Sequence, residues 1–265
     1  MSIAFITGAT RGIGRHIATY LAERGWDLGL IATDRDRLKR VADTLRKTGV
    51  QVVYAVADVG NYGSVASSVD LLVIRLGIPD LLINNAGQID AEVPIWESDP
   101  EQIAQVLATN LLGPLNMENA VVPMMVDRGE GRIINMVSGA GARDWAIFPA
   151  YTVSKTGLIR NVGDLHAAGF DLGLRAFGIA PGVVRTDMTA GMKVHAGRTD
   201  FTPVGDTLAL IGGIIDGELD EWSGAYLRAG VDTVEALKEA APKRIADQTV
   251  RSLGIITWGP DDPLA

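Results

Sequence analysis

The sequence predicts an α/β protein, a doubly wound parallel sheet of about seven strands with helices on both faces. Three observations carry that prediction. Short apolar runs rich in β-branched residues alternate with longer segments of helical period, the pattern of repeated βα units around a sheet buried on both faces. The first run ends in a glycine-rich turn that leads straight into helical spacing. At 265 residues the chain is ample for one full core of this kind.

The candidate strands are Ile3 to Thr7, Asp27 to Ala32, Gln51 to Ala57, Leu81 to Asn84, Arg132 to Val137, Arg175 to Ile179 and a short run near Ala225 to Arg228. Helices are expected to start near Gly14, Asp36, Ser64, Pro100, Ala150 and Pro203. In the second of these, Leu38, Ala42 and Leu45 recur at i, i+4 and i+7 with Val41 beside them, which turns one apolar stripe toward a sheet. The stretch from Asp187 to Pro203 is the least regular. After Val231 the chain reads as a helix through Ala240, a break at Pro242, another helical turn or two, then Trp258-Gly259-Pro260. No linker, low-complexity tract or solenoid repeat divides the sequence, so residues 1–265 read as a single domain.

Composition removes several function classes. With 24 basic and 32 acidic side chains the net charge is −8, which leaves no basic footprint for nucleic acid. A hydrophobic share of 47% against 21% charged supplies enough apolar surface to offset chain entropy and argues against disorder. The absence of cysteine excludes disulfides, thiolate metal sites and a catalytic thiol. His16, His166 and His195 lie far apart without ligand spacing, so no metal site is expected. Ser2 to Thr7 has no secretory pattern, and runs such as Leu71 to Ile74 or Leu208 to Ile215 fall short of the roughly 20 residues that span a bilayer. The expectation is a soluble cytoplasmic protein with neither nucleic acid nor membrane as partner.

The turn after the first strand is Thr7-Gly8-Ala9-Thr10-Arg11-Gly12-Ile13-Gly14, followed by Ile17, Ala18, Leu21 and Ala22 at helical spacing. Gly8 permits the sharp turn, Gly12 lets a pyrophosphate approach the backbone, and Gly14 lets the helix pack close to the strand. Free N–H groups and the positive end of the helix dipole then face the anion.

The Gly-x3-Gly-x-Gly spacing resembles the cofactor turn of the short-chain dehydrogenase/reductase family. Further positions agree in chain order: Asp58-Val59, Asn84-Asn85-Ala86-Gly87, Asn110, Ser138, Tyr151-x3-Lys155 and Pro181-Gly182-x3-Thr186. The resemblance runs from Ile3 to about Thr186. It implies a Rossmann-type dinucleotide-binding domain, with 187–203 as a substrate lid and 231–265 as a C-terminal extension. It also implies an NAD(P)-dependent oxidoreductase that interconverts a ketone and a secondary alcohol, similar to bacterial NADP-dependent carbonyl and 3-oxoacyl carrier-protein reductases. The cofactor contacts it implies are Gly8, Arg11, Gly12, Ile13, Gly14, Thr33, Asp58, Val59, Asn85, Ala86, Gly87, Tyr151, Lys155, Pro181, Gly182, Val184 and Thr186.

Residue chemistry can be set beside these implications. The Asp58 carboxylate suits an adenine amino group or a helix N-cap equally, Ala86-Gly87 lacks bulk beside a ribose, and Asn84 reads as a buried amide bracing the sheet. An acid ending the second strand would hold the ribose 2′-hydroxyl of NAD, but Ala32 stands there. Arg11 with Thr33 resembles the 2′-phosphate-binding pair of 3-oxoacyl carrier-protein reductases. NADP(H) is therefore favoured, and Asp34 keeps NAD(H) open.

Tyr151 and Lys155 stand four positions apart on one helix, so both project from one face. A lysine ammonium and an oxidised nicotinamide both favour the phenolate, which is expected to bring the phenol toward working pH. Tyr151 is then the acid in reduction and the base in oxidation. Ser138 donates to the substrate oxygen, and Asn110 resembles the family residue that holds a water linking Lys155 to solvent.

Gly157, Gly163 and Gly169 weaken the same helix by up to about 1 kcal/mol each. In relatives the outer face of this helix joins a dimer interface, so a homodimer or homotetramer is expected. Phe177 stands where many relatives carry a polar residue. Gly139, Ala140, Trp145, Ile89, Val183 and Met192 are candidate pocket walls, mainly apolar, while His195 reads as a solvated loop histidine sooner than as one that faces the substrate. These point to a small-molecule ketone or alcohol with a hydrophobic body. The alternatives are a carrier-protein ketoreductase, which the net charge of −8 does not encourage, and a non-catalytic dinucleotide-binding or sensing protein.

Overall fold

Strands β1 (Ile3–Thr7), β2 (Asp27–Ala32), β3 (Val52–Val56), β4 (Leu81–Asn84), β5 (Gly131–Met136), β6 (Leu174–Ala180) and β7 (Tyr226–Arg228) form one parallel sheet in the order β3-β2-β1-β4-β5-β6-β7. The computed structural model describes residues 2–257, 259 and 262. Every predicted strand is present, and the order is the doubly wound, Rossmann-type one. Successive side chains of each strand point to opposite faces, and both faces are filled. Ala4, Ile6, Leu28, Leu30 and Ile83 lie on one face, in a core with Ile17 and Leu21 of α1 (Gly12–Glu23), Leu38 of α2 (Arg35–Leu45) and Ile211 of α8 (Val204–Ile215). Phe5, Leu82 and Ile133 face the other way, against Val65 and Leu72 of α3 (Tyr62–Leu76) and Met117 and Val121 of α5 (Gly113–Arg128). Phe177 is fully buried in the first of these cores, so its side chain serves packing.

Two expectations need correction. None of the expected helix starts falls between Pro100 and Ala150, yet Gly113–Arg128 is helical. The helix α4 (Pro100–Leu107) instead passes through a π turn over Ala108–Leu112 straight into α5. Pro114 has no N–H to give to the preceding turn, and the widened turn sits immediately before it. Likewise Pro242 does not break the C-terminal helix: α9 (Val234–Ala246) runs through it. The lost bond to the Lys238 carbonyl is outweighed because residues on both sides are anchored. Leu237 is buried, and buried Arg244 donates to the carbonyls of Val250 at 2.8 Å and Ser223 at 2.9 Å. Trp258 and Pro260 lie outside the described residues, and among those described no helix is long and apolar enough to cross a membrane.

Winding reverses at β1, whose neighbours are β2 on one side and β4 on the other. Connections leaving the carboxyl ends of these strands therefore diverge and leave a crevice there. The remaining helices, α6 (Pro149–Gly169) and the short α7 (Asp187–Ala190), bring further residues to its rim.

Candidate active site

A cleft of ≈ 590 Å³ opens at the carboxyl ends of the strands. Of the sequence-predicted site residues, all except Gly14 and Asn110 line it. Gly8 and Gly12 have φ of 66° and 53°, a backbone region open to glycine. Gly14 lies behind the turn. A Cβ there would meet both Asn85 Nδ2 and the Gly8 carbonyl at 2.4 Å, so the helix packs too close for any side chain. No side chain caps the first turn of α1, which leaves its N–H groups for an external anion. These features fit a dinucleotide phosphate.

The turn is braced from β4. Thr7 Oγ1 accepts the N–H groups of Asn85 and Ala86 at 3.0 Å each, and Asn85 Nδ2 donates to the carbonyls of Thr7 at 3.0 Å and Gly8 at 3.2 Å. Arg11 and Thr33 both line the cleft, but Arg11 lies 3.5 Å from Asp187 in an exposed ion pair. Asp34 is turned to its own helix: it accepts from the Arg37 N–H at 2.9 Å and pairs with the Arg37 side chain at 3.1 Å. Asp58 accepts the Gly60 N–H at 2.9 Å, while Asn61, not Asp58, caps α3. Asn84 is buried and donates to Asn135 at 2.9 Å.

Ser138, Tyr151 and Lys155 converge on the cleft. Lys155 is buried and its ammonium donates to the Met136 carbonyl at 2.6 Å, with Nζ 5.7 Å from the centre of the Tyr151 ring. Burial lowers the lysine to about 8. Burial pushes the Tyr151 phenol up, and its hydrogen bond with Ser138 pulls it back part of the way. Among protein groups, then, Ser138 rather than Lys155 opposes the effect of burial on the phenol. Asn110 is fully buried in the π turn, where its amide exchanges two bonds of 2.8 Å with the Gln88 backbone and donates to Ser154 at 3.2 Å. It holds the wall behind Gly87; its side chain does not enter the cleft.

Two acidic residues of the site were not singled out from sequence. Chain entry to α6 bends through Phe148 at φ 60°, and no side chain of that residue caps the helix. Asp90, from the connection after β4, does so instead: its carboxylate accepts the N–H groups of Ala150 at 2.9 Å and Tyr151 at 3.1 Å. Outside the cleft lining, buried Glu118 accepts from Asn84 at 3.3 Å, Asn135 at 2.9 Å and Asn161 at 2.7 Å, joining α5 to β4, β5 and α6. Burial raises its carboxyl to about 7 against the pull of these amides. The predicted lid contains α7 and a turn over Lys193–His195, held by Glu92, which accepts the N–H groups of Lys193 and Val194. His195 lines the cleft with its Nδ1 buried and unbonded among the described residues, so it is not simply a solvated loop histidine.

Residues 2–196 match the family model described as short chain dehydrogenase. The sequence is 33% identical over 183 residues to the NADPH-dependent pterin aldehyde reductase of Arabidopsis thaliana, covering 69% of this chain and 75% of that protein. It is 35% identical over 190 residues to a 3-oxoacyl-[acyl-carrier-protein] reductase of Pseudomonas aeruginosa, covering 71% and 75% of the two chains. Among solved structures, levodione reductase superposes with a TM-score of 0.80 at 22% identity, over 86% of this chain and 95% of that one, a likeness of fold. A 3-oxoacyl-[acyl-carrier protein] reductase from Brucella melitensis superposes with a TM-score of 0.78 at 28% identity, over 86% and 89%.

Proposed function

The chain belongs to the short-chain dehydrogenase family and is an NAD(P)-dependent oxidoreductase, and from that premise we propose that it interconverts a ketone and a secondary alcohol, reducing the ketone with NADPH. The observation that carries this reading is the convergence of Ser138, Tyr151 and Lys155 on a cleft continuous with the glycine turn. Gly8, Arg11, Gly12 and Ile13 would hold the pyrophosphate half, Asp58 and Val59 the adenine, Ala86 and Gly87 a ribose, and Val184 and Thr186 the nicotinamide end. When bound, the cofactor supplies the hydride. Ser138 hydrogen-bonds the substrate oxygen and polarises the carbonyl, and the Tyr151 hydroxyl gives that oxygen its proton. Because burial keeps the phenol protonated, Tyr151 starts reduction as the acid. Lys155, fixed by the Met136 carbonyl, holds positive charge 5.7 Å from the centre of the Tyr151 ring.

NADPH is favoured because β2 ends in Ala32, Thr33 lines the cleft, and the charge of Asp34 is engaged by Arg37. The same reading includes a homodimer or homotetramer. Support comes from Gly163, which has open space where a Cβ would stand, and from the exposed apolar side chains Leu112, Leu115 and Val153 on or beside α5 and α6. The decisive experiment is Tyr151→Phe. NADPH binding is expected to survive while turnover of any active ketone falls by about two to four orders of magnitude. Near-parental turnover in that variant would falsify the proposed acid.

A further inference from the structure

Charge along the cleft is uneven. The carboxylates that line it are Asp58, past the end of β3, and Asp187, beside Arg11. Both belong to the dinucleotide side. Beyond Ser138 the lining charges are Arg143, in the connection between β5 and α6, and Arg228, the last residue of β7. A Cβ built on Gly139, the neighbour of Ser138, would lie 3.8 Å from Nη1 of Arg228 and 3.6 Å from the Tyr226 hydroxyl. That places one guanidinium beside the residue that follows Ser138. Arg143 sits with its guanidinium carbon 5.2 Å from the centre of the Trp145 ring, which also lines the cleft.

The charges bearing on Tyr226 are Arg228, Arg251, Asp232 and Arg143. The one carboxylate among them is engaged: Asp232 binds the Arg251 side chain at 2.8 Å and accepts the backbone N–H of Arg228 at 2.7 Å. The ion pairs formed among the described residues include neither Arg143 nor Arg228. In a chain of net charge −8, two guanidinium groups thus face the substrate end without a carboxylate of their own. A guanidinium fork matches the oxygen pair of a carboxylate or phosphate.

We propose, building on the ketone-reducing reading above, that the substrate carries a carboxylate or phosphate a few atoms from its reacting carbonyl, and that Arg143 and Arg228 bind this group. Trp145, Ile89 and Met192 then enclose the apolar portion of the same molecule, and the two arginines set its orientation relative to Ser138.

The test compares NADPH consumption with 4-oxopentanoate and 5-oxohexanoate against their methyl esters, and with dihydroxyacetone phosphate against dihydroxyacetone. The phosphate and carboxylate arms distinguish the two anions. In the parent protein the anionic member of at least one pair should have a kcat/KM at least about ten-fold higher, chiefly through KM. That ratio should fall toward one in the double variant R143Q/R228Q and recover in part in R228K. Equal values within every pair in the parent, or a ratio unchanged in the double variant, overturns the proposal, as does preference for an acyl-carrier-protein thioester with the small anions ignored. Calorimetric titration of 5-oxohexanoate and its methyl ester into parent and double variant, at low and high salt, decides independently of turnover. If no dinucleotide binds and no ketone is reduced, the oxidoreductase reading falls, whereas arginine-dependent, salt-sensitive binding of the acid still reports on the anion site.

Discussion

The Asp90 carboxylate binds the N–H of Tyr151 at 3.1 Å, so the residue proposed as proton donor is fixed at its backbone by an acid 61 positions earlier in the chain. The same carboxylate takes the Ala150 N–H at 2.9 Å, where the helix would otherwise begin uncapped. A negative charge at this end also complements the helix dipole.

Asp90→Ala should lower kcat by about ten-fold or more through misplacement of the phenol, while NADPH affinity stays near parental. Asp90→Asn keeps an acceptor and should recover part of the loss. Steady-state kinetics with separate kcat and KM, beside the melting temperature, distinguish positioning from general loss of fold. An unchanged kcat in Asp90→Ala removes the positioning role.

Arg11→Ala should shrink the preference for NADPH over NADH by about ten-fold, the scale of one charge-assisted contact. Fluorescence titration of both dinucleotides reads this directly. If the parent binds them equally well, the assignment of Arg11 and Thr33 to a 2′-phosphate is wrong.

Glu118 makes stability depend on pH with a definite sign. Its folded carboxyl is raised from 4.5 to about 7, so between those values the native state binds more protons than the unfolded chain. Stability from this group is therefore fully present below the unfolded value and is lost as pH rises toward the folded one, a change on the order of 3 kcal/mol. Denaturant unfolding of parent and Glu118→Gln from pH 4 to 8 should show the glutamine variant gaining on the parent as pH rises. A constant difference across that range contradicts the assignment.

Gly14→Ala introduces a Cβ 2.4 Å from both Asn85 Nδ2 and the Gly8 carbonyl. The clash is with backbone and a braced amide, so a loss of about 1 to 3 kcal/mol in stability is expected. NADPH affinity should fall with it. A variant as stable as the parent would show that the turn yields more readily than its packing indicates.

The strands, the glycine turn and the Tyr151 to Lys155 spacing were legible because each is a local pattern: a run, a turn or one helical step. Asp90, Glu118 and Arg228 were not. Asp90 and Glu118 act across chain separations that only tertiary folding closes, and Arg228 reaches the cleft because β7 pairs beside β6, with Ala180 opposite Arg228. The α5 helix was hidden for a different reason. Pro114 and Pro123 obey local rules for breaking helices, and the π turn together with buried Met117 and Val121 overrides them. The upward push of burial on the Tyr151 phenol was likewise out of reach, since burial is a property of the folded chain and the spacing pointed only to nearby positive charge.

The bonds that Thr7 and Asn85 make across the junction of β1 and β4 fasten the floor of the crevice on both sides of its seam. On the opposite wall, the Glu92 carboxylate accepts the N–H groups of Lys193 and Val194, and Asp187 pairs with Arg11 in an exposed contact. The crevice thus has one side joined strand to strand by partly buried polar bonds and another tied by contacts open to water.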